Sequence, residues 1–263
     1  MALTLYVEPP GPVHRRHPVA KLMAMIGFFF AAFLTDRALL LLPLAAAVAL
    51  LLAVSGGLTN VRRLRLLFAM VFTMSFVVWS LFFEGGRPWL SLGPLGVSRE
   101  GVQFALGMAV KLVTFLAIGV LFLSTTTIEE FSYALVRLGV PYRFGFTLTL
   151  AFRLVPVFVD SALTVIQAQR SRGFAFERGN LLERGRRYVP VIVPVFIGAL
   201  RRADGMAMAL EARGFQRRTP RSSYGRYLWQ VADGAVIAVS VGVAGGYFVL
   251  WQLGHTSAAM VPF

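Results

Sequence analysis

Residues 38–54 read ALLLLPLAAAVALLLAV, an unbroken apolar run that contains no charged side chain. A helix needs about 20 mostly apolar residues to cross the hydrocarbon core of a bilayer, and this run approaches that length. Hydrophobic residues make up 57% of the 263-residue chain, well above the share that a soluble domain can carry. The chain is therefore predicted to be a membrane protein.

Four more apolar segments accompany this run along the chain. They cover residues 19–35, 64–83, 101–123 and 228–253. The Gly/Pro-rich segment 85–101 reads as an external loop, and residues 1–20 lack the apolar core of a signal peptide. The predicted fold class is an all-α polytopic membrane protein with about five transmembrane helices.

The net charge of +14 follows from this class, because the cytoplasmic loops of membrane proteins collect lysine and arginine. Of the 26 basic residues, all but four lie in the segments 15–21, 62–65 and 124–227. The four exceptions are Arg37, Arg87, Arg99 and Lys111. This asymmetry predicts a cytoplasmic N-terminus and an external C-terminus, and it explains the charge without a nucleic-acid partner.

The chain divides into three regions on this reading. Residues 1–123 form an N-terminal membrane region of four helices, 124–227 a cytoplasmic or interfacial region, and 228–263 a C-terminal transmembrane helix and tail. The middle region opens with STTTIEEF at 124–131, where hydroxyls can cap a helix and two glutamates complement its dipole. That helix is predicted to stop at residues 139–141, Gly-Val-Pro.

Residues 146–170 predict an amphipathic helix of about 37 Å that lies along the inner membrane interface. Its polar stripe consists of Thr149, Arg153, Asp160, Thr164 and Gln167. Proline at 156 is expected to bend this helix. Residues 146–166 are also long enough to cross the membrane if Arg153 and Asp160 were sheltered, so the number of spans stays open.

A further helix is predicted from about Pro190 to Arg213, with small residues along one face that allow close backbone approach. The last span repeats small residues at Ala238, Gly242 and Gly246, a spacing that suits tight packing against another helix.

Several kinds of chemistry are excluded by composition. The chain has no cysteine, and its three histidines, His14, His17 and His255, are too scattered for a metal site. A Walker A loop needs glycine before lysine, whereas Lys21 and Lys111 follow alanine and valine. We therefore expect no catalytic residue and no metal site, and energy for any active process must come from a partner or a gradient.

Two helices of the middle region end in the same triplet, Arg-Gly-Phe, at 172–174 and 213–215. Glycine is favoured just past a helix terminus, and arginine in the last turn stabilises that terminus by about 0.3–1 kcal/mol. Those roles require neither phenylalanine nor two matching copies. We interpret each guanidinium as reaching into a partner's groove, where its planar fork can pair with a carboxylate.

The residues around these helix ends resemble one family, the transmembrane coupling subunit (T component) of energy-coupling factor (ECF) transporters for vitamins and metal ions. Residues 153–156 followed by 167–173 are similar to that family's first motif region, and 202–204 followed by 208–215 to its second. Residues 14–22 are similar to a family segment that usually reads Asp-Pro-Arg-Thr-Lys, with His17 in place of the acid.

The resemblance implies the site residues. Those that would couple to the ATPases are Ser171, Arg172, Gly173, Ala212, Arg213 and Gly214. Those that would support the coupling helices are Arg153, Pro156, Gln169, Arg202, Asp204 and Glu211. The implied partners are two ABC-type ATPases that use ATP and Mg²⁺ and a small substrate-binding membrane subunit (S component), within a prokaryotic cell membrane. The chain itself would bind no cofactor and carry out no catalysis.

Other classes stay open at this stage. A stand-alone secondary transporter or channel would need ionisable groups within spans, and Lys111 and Asp233 are the candidates. Lys111 is better explained by an ion pair within the bundle or a bond to a backbone carbonyl, and Asp233 by a position at the membrane interface. A membrane enzyme would need a catalytic arrangement within the spans, where no histidine lies except His255 at the edge of the last one. A structural scaffold would differ from the T component only in that its partners consume no ATP.

Overall fold

A computed structural model describes residues 6–7, 11–83, 88–92, 95–176, 180–215 and 227–254. Within these ranges, the regular structure consists of ten helices and one two-stranded hairpin. The helices are α1 (Pro18–Phe33), α2 (Ala38–Val54), α3 (Leu58–Arg63), α4 (Arg65–Phe82), α5 (Arg99–Thr125), α6 (Ile128–Arg137), α7 (Tyr142–Ser171), α8 (Leu181–Arg187), α9 (Val189–Ala212) and α10 (Val231–Gln252). The hairpin strands are β1 (Pro88–Leu92) and β2 (Leu95–Ser98).

The predicted all-α class is confirmed. Among the helices of the described residues, four are long and apolar enough to cross a membrane, namely α4, α5, α7 and α10. Helices α1 and α2 are apolar but shorter, with 16 and 17 residues. Helix α7 belongs to the first group although its polar stripe favours an interfacial position, so the placement of α7 stays a prediction.

The hairpin is a feature that the sequence did not reveal. Its strands are antiparallel, with Leu92 opposite Leu95, and they occupy the segment predicted as a loop. Turn-forming residues such as glycine and proline are common to hairpins and open loops, so composition alone did not distinguish them. Two residues named above lie outside the described residues. They are Arg87, one of the four basic exceptions, and His255, one of the three histidines considered as metal ligands.

The chain folds into two compact units, and the division into membrane and cytoplasmic regions stays a prediction. Unit 1 comprises residues 1–140 and 227–263, and unit 2 comprises 141–226. Helix α6 therefore belongs to unit 1, because it packs on α1, whereas the sequence division grouped it with the middle region. Its predicted start and stop are confirmed: Thr127 and Glu130 form a capping box, and Gly139 ends the helix with a φ of +105°.

Helices α1 and α10 run parallel in unit 1. Asp233 at the start of α10 accepts a hydrogen bond from the backbone N–H of His17, which precedes α1 (3.1 Å). Further along both helices, Gly27 meets Ser240 so closely that a Cβ on Gly27 would lie 3.1 Å from the Ser240 carbonyl oxygen. The missing side chain at Gly27 thus allows the two backbones to approach each other.

Helix α5 runs in the opposite direction and joins the ends of the other helices. At its C-terminal end, the Ser124 hydroxyl accepts a hydrogen bond from the Asn60 amide (2.8 Å), and the Thr125 carbonyl accepts one from Lys21 Nζ (2.8 Å). The starts of α1 and α10, helix α3 and the end of α5 therefore lie at one end of unit 1, which we call the α1-start end.

Candidate functional site

The first Arg-Gly-Phe triplet ends α7 with a Schellman motif. Gly173 has a φ of +79°, and its N–H donates to the Arg170 carbonyl (2.9 Å). The N–H of Phe174 donates to the carbonyl of Gln169 (3.0 Å). These two bonds satisfy carbonyls that the helix end would otherwise leave unpaired, and the positive φ explains the glycine.

The second triplet ends α9 in the same way. Gly214 has a φ of +71°, and its N–H donates to the Glu211 carbonyl (2.8 Å). The N–H of Phe215 donates to the Leu210 carbonyl (3.0 Å). The two helix ends therefore share one backbone geometry, with Arg172 and Arg213 at equivalent C-cap positions.

The phenylalanines have a packing role that the sequence interpretation did not assign to them. Phe215 packs against Phe146 of α7, with ring centroids 4.5 Å apart. Phe174 contacts Phe176 (5.0 Å), which in turn contacts Tyr188 at the start of α9 (5.3 Å). These ring contacts give each phenylalanine a packing role within unit 2, so phenylalanine is not itself a sign of a partner.

The same ring contacts establish that α7 and α9 are antiparallel within unit 2. The start of α7 lies beside the residues that follow α9, and the residues that follow α7 lie beside the start of α9. Residues 146 and 172 are about 40 Å apart along α7, since an α-helix rises about 1.5 Å per residue. The two arginine tips therefore lie at opposite ends of the helix pair.

Both arginine side chains are directed to the surface of unit 2. Arg172 and Arg213 are exposed, and neither forms a side-chain hydrogen bond or ion pair with the part of the chain that the structure describes. The neighbouring Ser171 hydroxyl donates to the Gln167 carbonyl within its own helix (3.1 Å), and Ala212 is exposed. A guanidinium in this position retains all its donors for another molecule.

The residues expected to support the coupling helices do not form a single cluster. Arg153, Pro156, Arg202, Asp204 and Glu211 are exposed, and Gln169 is half-buried. Helix α7 continues through Pro156 without a break in its helical assignment. Gln169 and Glu211 accept the cap hydrogen bonds described above through their backbone carbonyls, which any residue could provide.

The N-terminal segment forms a buried polar cluster in unit 1. Lys21 pairs with Glu130 of α6 (2.8 Å) in addition to its bond with the Thr125 carbonyl, and so ties three helices together. His17 caps α1, because its Nδ1 accepts the N–H of Val19 (3.3 Å). The replacement of the usual acid by histidine therefore preserves the N-cap function. Sequence reasoning assigned Glu130 to the helix dipole alone and missed its long-range pairing.

The surroundings of both histidines in this cluster favour the neutral form of the imidazole ring. Burial lowers the pKa of His14, and burial also lowers the pKa of His17, against the opposing effect of Asp233 on the latter. His14 Nδ1 accepts the N–H of Gly11 (3.0 Å), while Nε2 lies 3.1 Å from the Ser124 carbonyl oxygen. This geometry fits the neutral tautomer with its proton on Nε2.

The two ionisable residues that a secondary transporter would need, Lys111 and Asp233, both have hydrogen-bond partners within the chain. Lys111 Nζ binds Asp36 (2.7 Å) and the Phe33 carbonyl (2.7 Å), which confirms the predicted pairing. Asp233 is buried and accepts N–H groups from His17 and Gln230. In the described ranges, no group of three His, Asp or Glu side chains is arranged to hold a metal ion.

Comparisons with known proteins agree on one kind of protein. The family described as cobalt transport protein, CbiQ, matches residues 11–224. The energy-coupling factor transporter transmembrane protein EcfT of Lactococcus lactis is 29% identical, over 96% of this chain and 98% of the relative. The proteins of the same name from Streptococcus equi (30%; 92% and 93%) and Ruminiclostridium cellulolyticum (30%; 94% and 94%) are similarly related.

Proposed function

The chain belongs to the CbiQ family of cobalt transport proteins and is an energy-coupling membrane component of an ECF transporter, and on this premise we propose how it couples. Two cytoplasmic ABC-type ATPases bind Arg172 and Arg213, and closure of the ATPase pair on ATP moves helices α7 and α9. That motion passes to a separate substrate-binding membrane subunit, which carries a vitamin or a transition-metal ion across the prokaryotic cell membrane.

The observation that carries this proposal is the position of the two arginines. They have the same cap geometry and no partner among the described residues, and they lie at opposite ends of an antiparallel helix pair. A distance of about 40 Å along α7 is too long for one groove to hold both side chains. It suits two similar grooves on the two subunits of a homodimeric or heterodimeric ATPase.

A contact with a second membrane subunit is supported by the apolar surface of unit 2. Large apolar side chains of α7 and α9 are exposed, among them Phe152, Leu163, Ile192, Phe196 and Met208. An exposed apolar surface of this kind in a membrane protein is covered by lipid or by another subunit. We propose that the S component shares this surface with lipid, and that cargo specificity resides in the S component.

This division of labour assigns no catalysis to the chain. ATP and Mg²⁺ would bind the ATPases alone, and neither lysine of this chain follows a glycine as a Walker A loop requires. The chain would act by position and movement, with the ATPases supplying the energy.

The test is co-purification of the ATPases with an Arg172→Ala, Arg213→Ala double variant. Loss of a hydrogen-bonded charge at an interface costs about 2–5 kcal/mol, so we expect ATPase recovery and transport to fall at least about tenfold. The Arg172→Lys, Arg213→Lys variant keeps both charges near the helix dipoles but loses the planar fork, so its recovery should also fall. Helix stabilisation alone would predict wild-type behaviour for the lysine variant.

The matched control is Arg63→Ala with Arg201→Ala, which removes two exposed guanidiniums from positions away from the ends of α7 and α9. We expect this control to recover the ATPases like the wild type. Wild-type recovery and intact transport with the double Arg172→Ala, Arg213→Ala variant would contradict the proposal. Transport by the chain alone in proteoliposomes, without ATPases, would instead identify a secondary transporter.

A further inference from the structure

A cavity of about 430 Å³ opens in unit 1 between helices α1, α2, α5 and α10. Its walls are mostly apolar and include Ala24, Met25, Phe28, Leu51, Ile118 and Val239. Pockets of about 300–1,000 Å³ hold small organic ligands in proteins, so this volume is sufficient for a substantial apolar group. None of the functional residues described above explains this space.

A second, polar cavity adjoins the first at the α1-start end of unit 1. It measures about 500 Å³ and is lined by Gly11, Pro12, Arg15, Arg16 and Gln230. Pro12 and Arg16 line both cavities, so the two spaces meet at these residues. If α1 crosses the bilayer as its apolar sequence predicts, the polar cavity at residues 11–16 would lie at the membrane surface, and the apolar cavity would lie along α1 in the hydrocarbon layer.

The charge at this junction is positive and has no counterpart among the described residues that line the two cavities. Arg15 is exposed, and Arg16 donates one hydrogen bond to the neutral Gln230 side chain (3.3 Å). Lys21 also lines the apolar cavity, but Glu130 and the Thr125 carbonyl already satisfy it. Within the described ranges, neither cavity has an Asp or Glu in its lining, so the two guanidiniums favour an anion.

We propose that these two cavities bind one anionic phospholipid, with its phosphate at Arg15 and Arg16 and one acyl chain in the apolar cavity. The combination of a mostly apolar cavity and an adjoining basic cavity matches the two parts of such a lipid. An acyl chain gains little by moving from bilayer to cavity, since both are apolar. Selectivity therefore comes from the arginines, which prefer a net negative headgroup to a zwitterionic one.

The bound lipid would act as a structural part of unit 1. The cavity is walled by α1, α2, α5 and α10, and the acyl chain would fill the space between these helices. Filling an internal space restores packing contacts that its walls lack, so the lipid should stabilise the bundle. The headgroup would at the same time neutralise the two arginines at the end where α1 and α10 start.

Native mass spectrometry of the full chain released from nanodiscs tests the proposal. The nanodiscs contain phosphatidylcholine with a minor fraction of phosphatidylglycerol, and we expect one phosphatidylglycerol to be retained preferentially. A phosphatidylglycerol with a photoreactive group in one acyl chain should cross-link to residues that line the apolar cavity on α1, α5 and α10, namely Ala24, Met25, Phe28, Ile118, Leu121, Phe122, Ala235, Val236 and Val239. Phosphatidylcholine retained equally well, or cross-links confined to other surfaces, would overturn the proposal.

Two matched pairs of variants separate this site from general surface charge. Arg15→Gln with Arg16→Gln should weaken phosphatidylglycerol retention about tenfold, whereas Arg62→Gln with Arg63→Gln, at the same end of unit 1, should not. Ala235→Phe fills the cavity lining and should reduce both retention and cross-linking, whereas Ala238→Phe on the same helix lies outside the lining and should reduce neither. Equal effects within either pair would overturn the assignment.

The variants must fold for this comparison to count, so their elution as monodisperse protein is checked first. If the double variant aggregates, the single Arg15→Gln variant replaces it, because Arg15 is exposed and its side chain has no bond to the described residues. A competition experiment with glycerol 3-phosphate tests whether the acyl chain contributes to binding. If this soluble anion displaced the lipid at comparable concentration, the site would bind a phosphate without a chain and the acyl-chain assignment would be wrong.

Discussion

At the scale of single residues, each member of the Arg-Gly-Phe triplets has its own task. The glycines adopt a positive φ that ends the helix, Phe215 packs against α7, and Phe174 packs on Phe176, which contacts Tyr188 at the start of α9. The arginines alone have no contact that explains them in the described chain. The separation of tasks predicts that substitutions at glycine or phenylalanine damage folding, whereas substitutions at arginine damage coupling.

His14 shows how a buried hydrogen-bond pattern fixes a protonation state. Its side chain is 4% exposed, and its Nδ1 acts as the acceptor of a backbone N–H. Protonation of Nδ1 would place a second N–H group opposite the N–H of Gly11. It would also place a positive charge in a buried position. The folded-state pKa therefore lies below the unfolded value of 6.5, as it also does for His17.

We predict that unit 1 loses stability as the pH falls below about 6.5. Below this value the unfolded chain binds protons at His14 and His17 that the folded chain resists, so acid favours unfolding. The stability is present above the unfolded pKa and declines until the pH reaches the lowered folded values. Thermal unfolding of the purified chain between about pH 7.5 and 5 measures this effect.

The control for the pH experiment is His14→Gln, which removes one titrating group and keeps a polar side chain. We expect its unfolding temperature to change less with pH than that of the wild type, with His17 supplying the remaining dependence. An unchanged slope in this variant would show that His14 does not titrate in the predicted way.

At the scale of helices, α10 packs through a different face from the one that its sequence suggested. The small-residue repeat at Ala238, Gly242 and Gly246 is exposed, and a Cβ added at either glycine would meet nothing within 4 Å. The close contact is made instead by Ser240 with Gly27 of α1. A small-residue repeat indicates that a face can pack closely but does not identify the partner.

This contact predicts different outcomes for two glycine substitutions. Gly27→Leu should force α1 and α10 apart and destabilise unit 1 by about 1–3 kcal/mol, because overpacking strains a close backbone contact. Gly242→Leu adds the same side chain to an open helix face and should leave stability unchanged or slightly raised, as leucine favours helix more than glycine does. Thermal unfolding in one detergent compares the two variants. Similar destabilisation by both would contradict the packing described.

At the scale of the whole molecule, the ends of unit 1 agree with the charge asymmetry. The α1-start end contains Arg15, Arg16, Arg62 and Arg63, all of which precede or connect helices there. Lys111 is a cation within the apolar run of α5. Its ammonium group lies at the turn between α1 and α2, where it binds Asp36 and the Phe33 carbonyl at the end of α1. A cytoplasmic α1-start end therefore remains our prediction for this chain.

Single introduced cysteines test this orientation, since the chain has none of its own. Glu100→Cys, at the start of α5, should react with a membrane-impermeant maleimide added to intact cells. Arg63→Cys, at the α1-start end, should react only after the membrane is permeabilised. Both positions are exposed, so accessibility within the fold does not limit either reaction. The reverse labelling pattern would show that the N-terminus is external.

The sequence predicted the elements of this protein more fully than their arrangement. The apolar runs matched α1, α2, α4, α5 and α10 to within a few residues, because length and hydropathy decide such helices locally. The capping box of α6 and the glycine stops of α7 and α9 were also confirmed. The hairpin, the pairing of Lys21 with Glu130, and the role of the phenylalanines were missed, because each depends on residues distant in sequence.

By itself, the sequence determined that this chain is a helical membrane protein with two arginine-tipped helices, since apolar length, helix caps and charge asymmetry are local properties. Only the tertiary structure decided that α1 and α10 run parallel, that α7 and α9 run antiparallel, and that the two arginines consequently lie at opposite ends. It also decided where a cavity opens beside Arg16. Such features follow from which side chains allow two helices to approach closely, and that depends on pairs of surfaces that no single helix encodes.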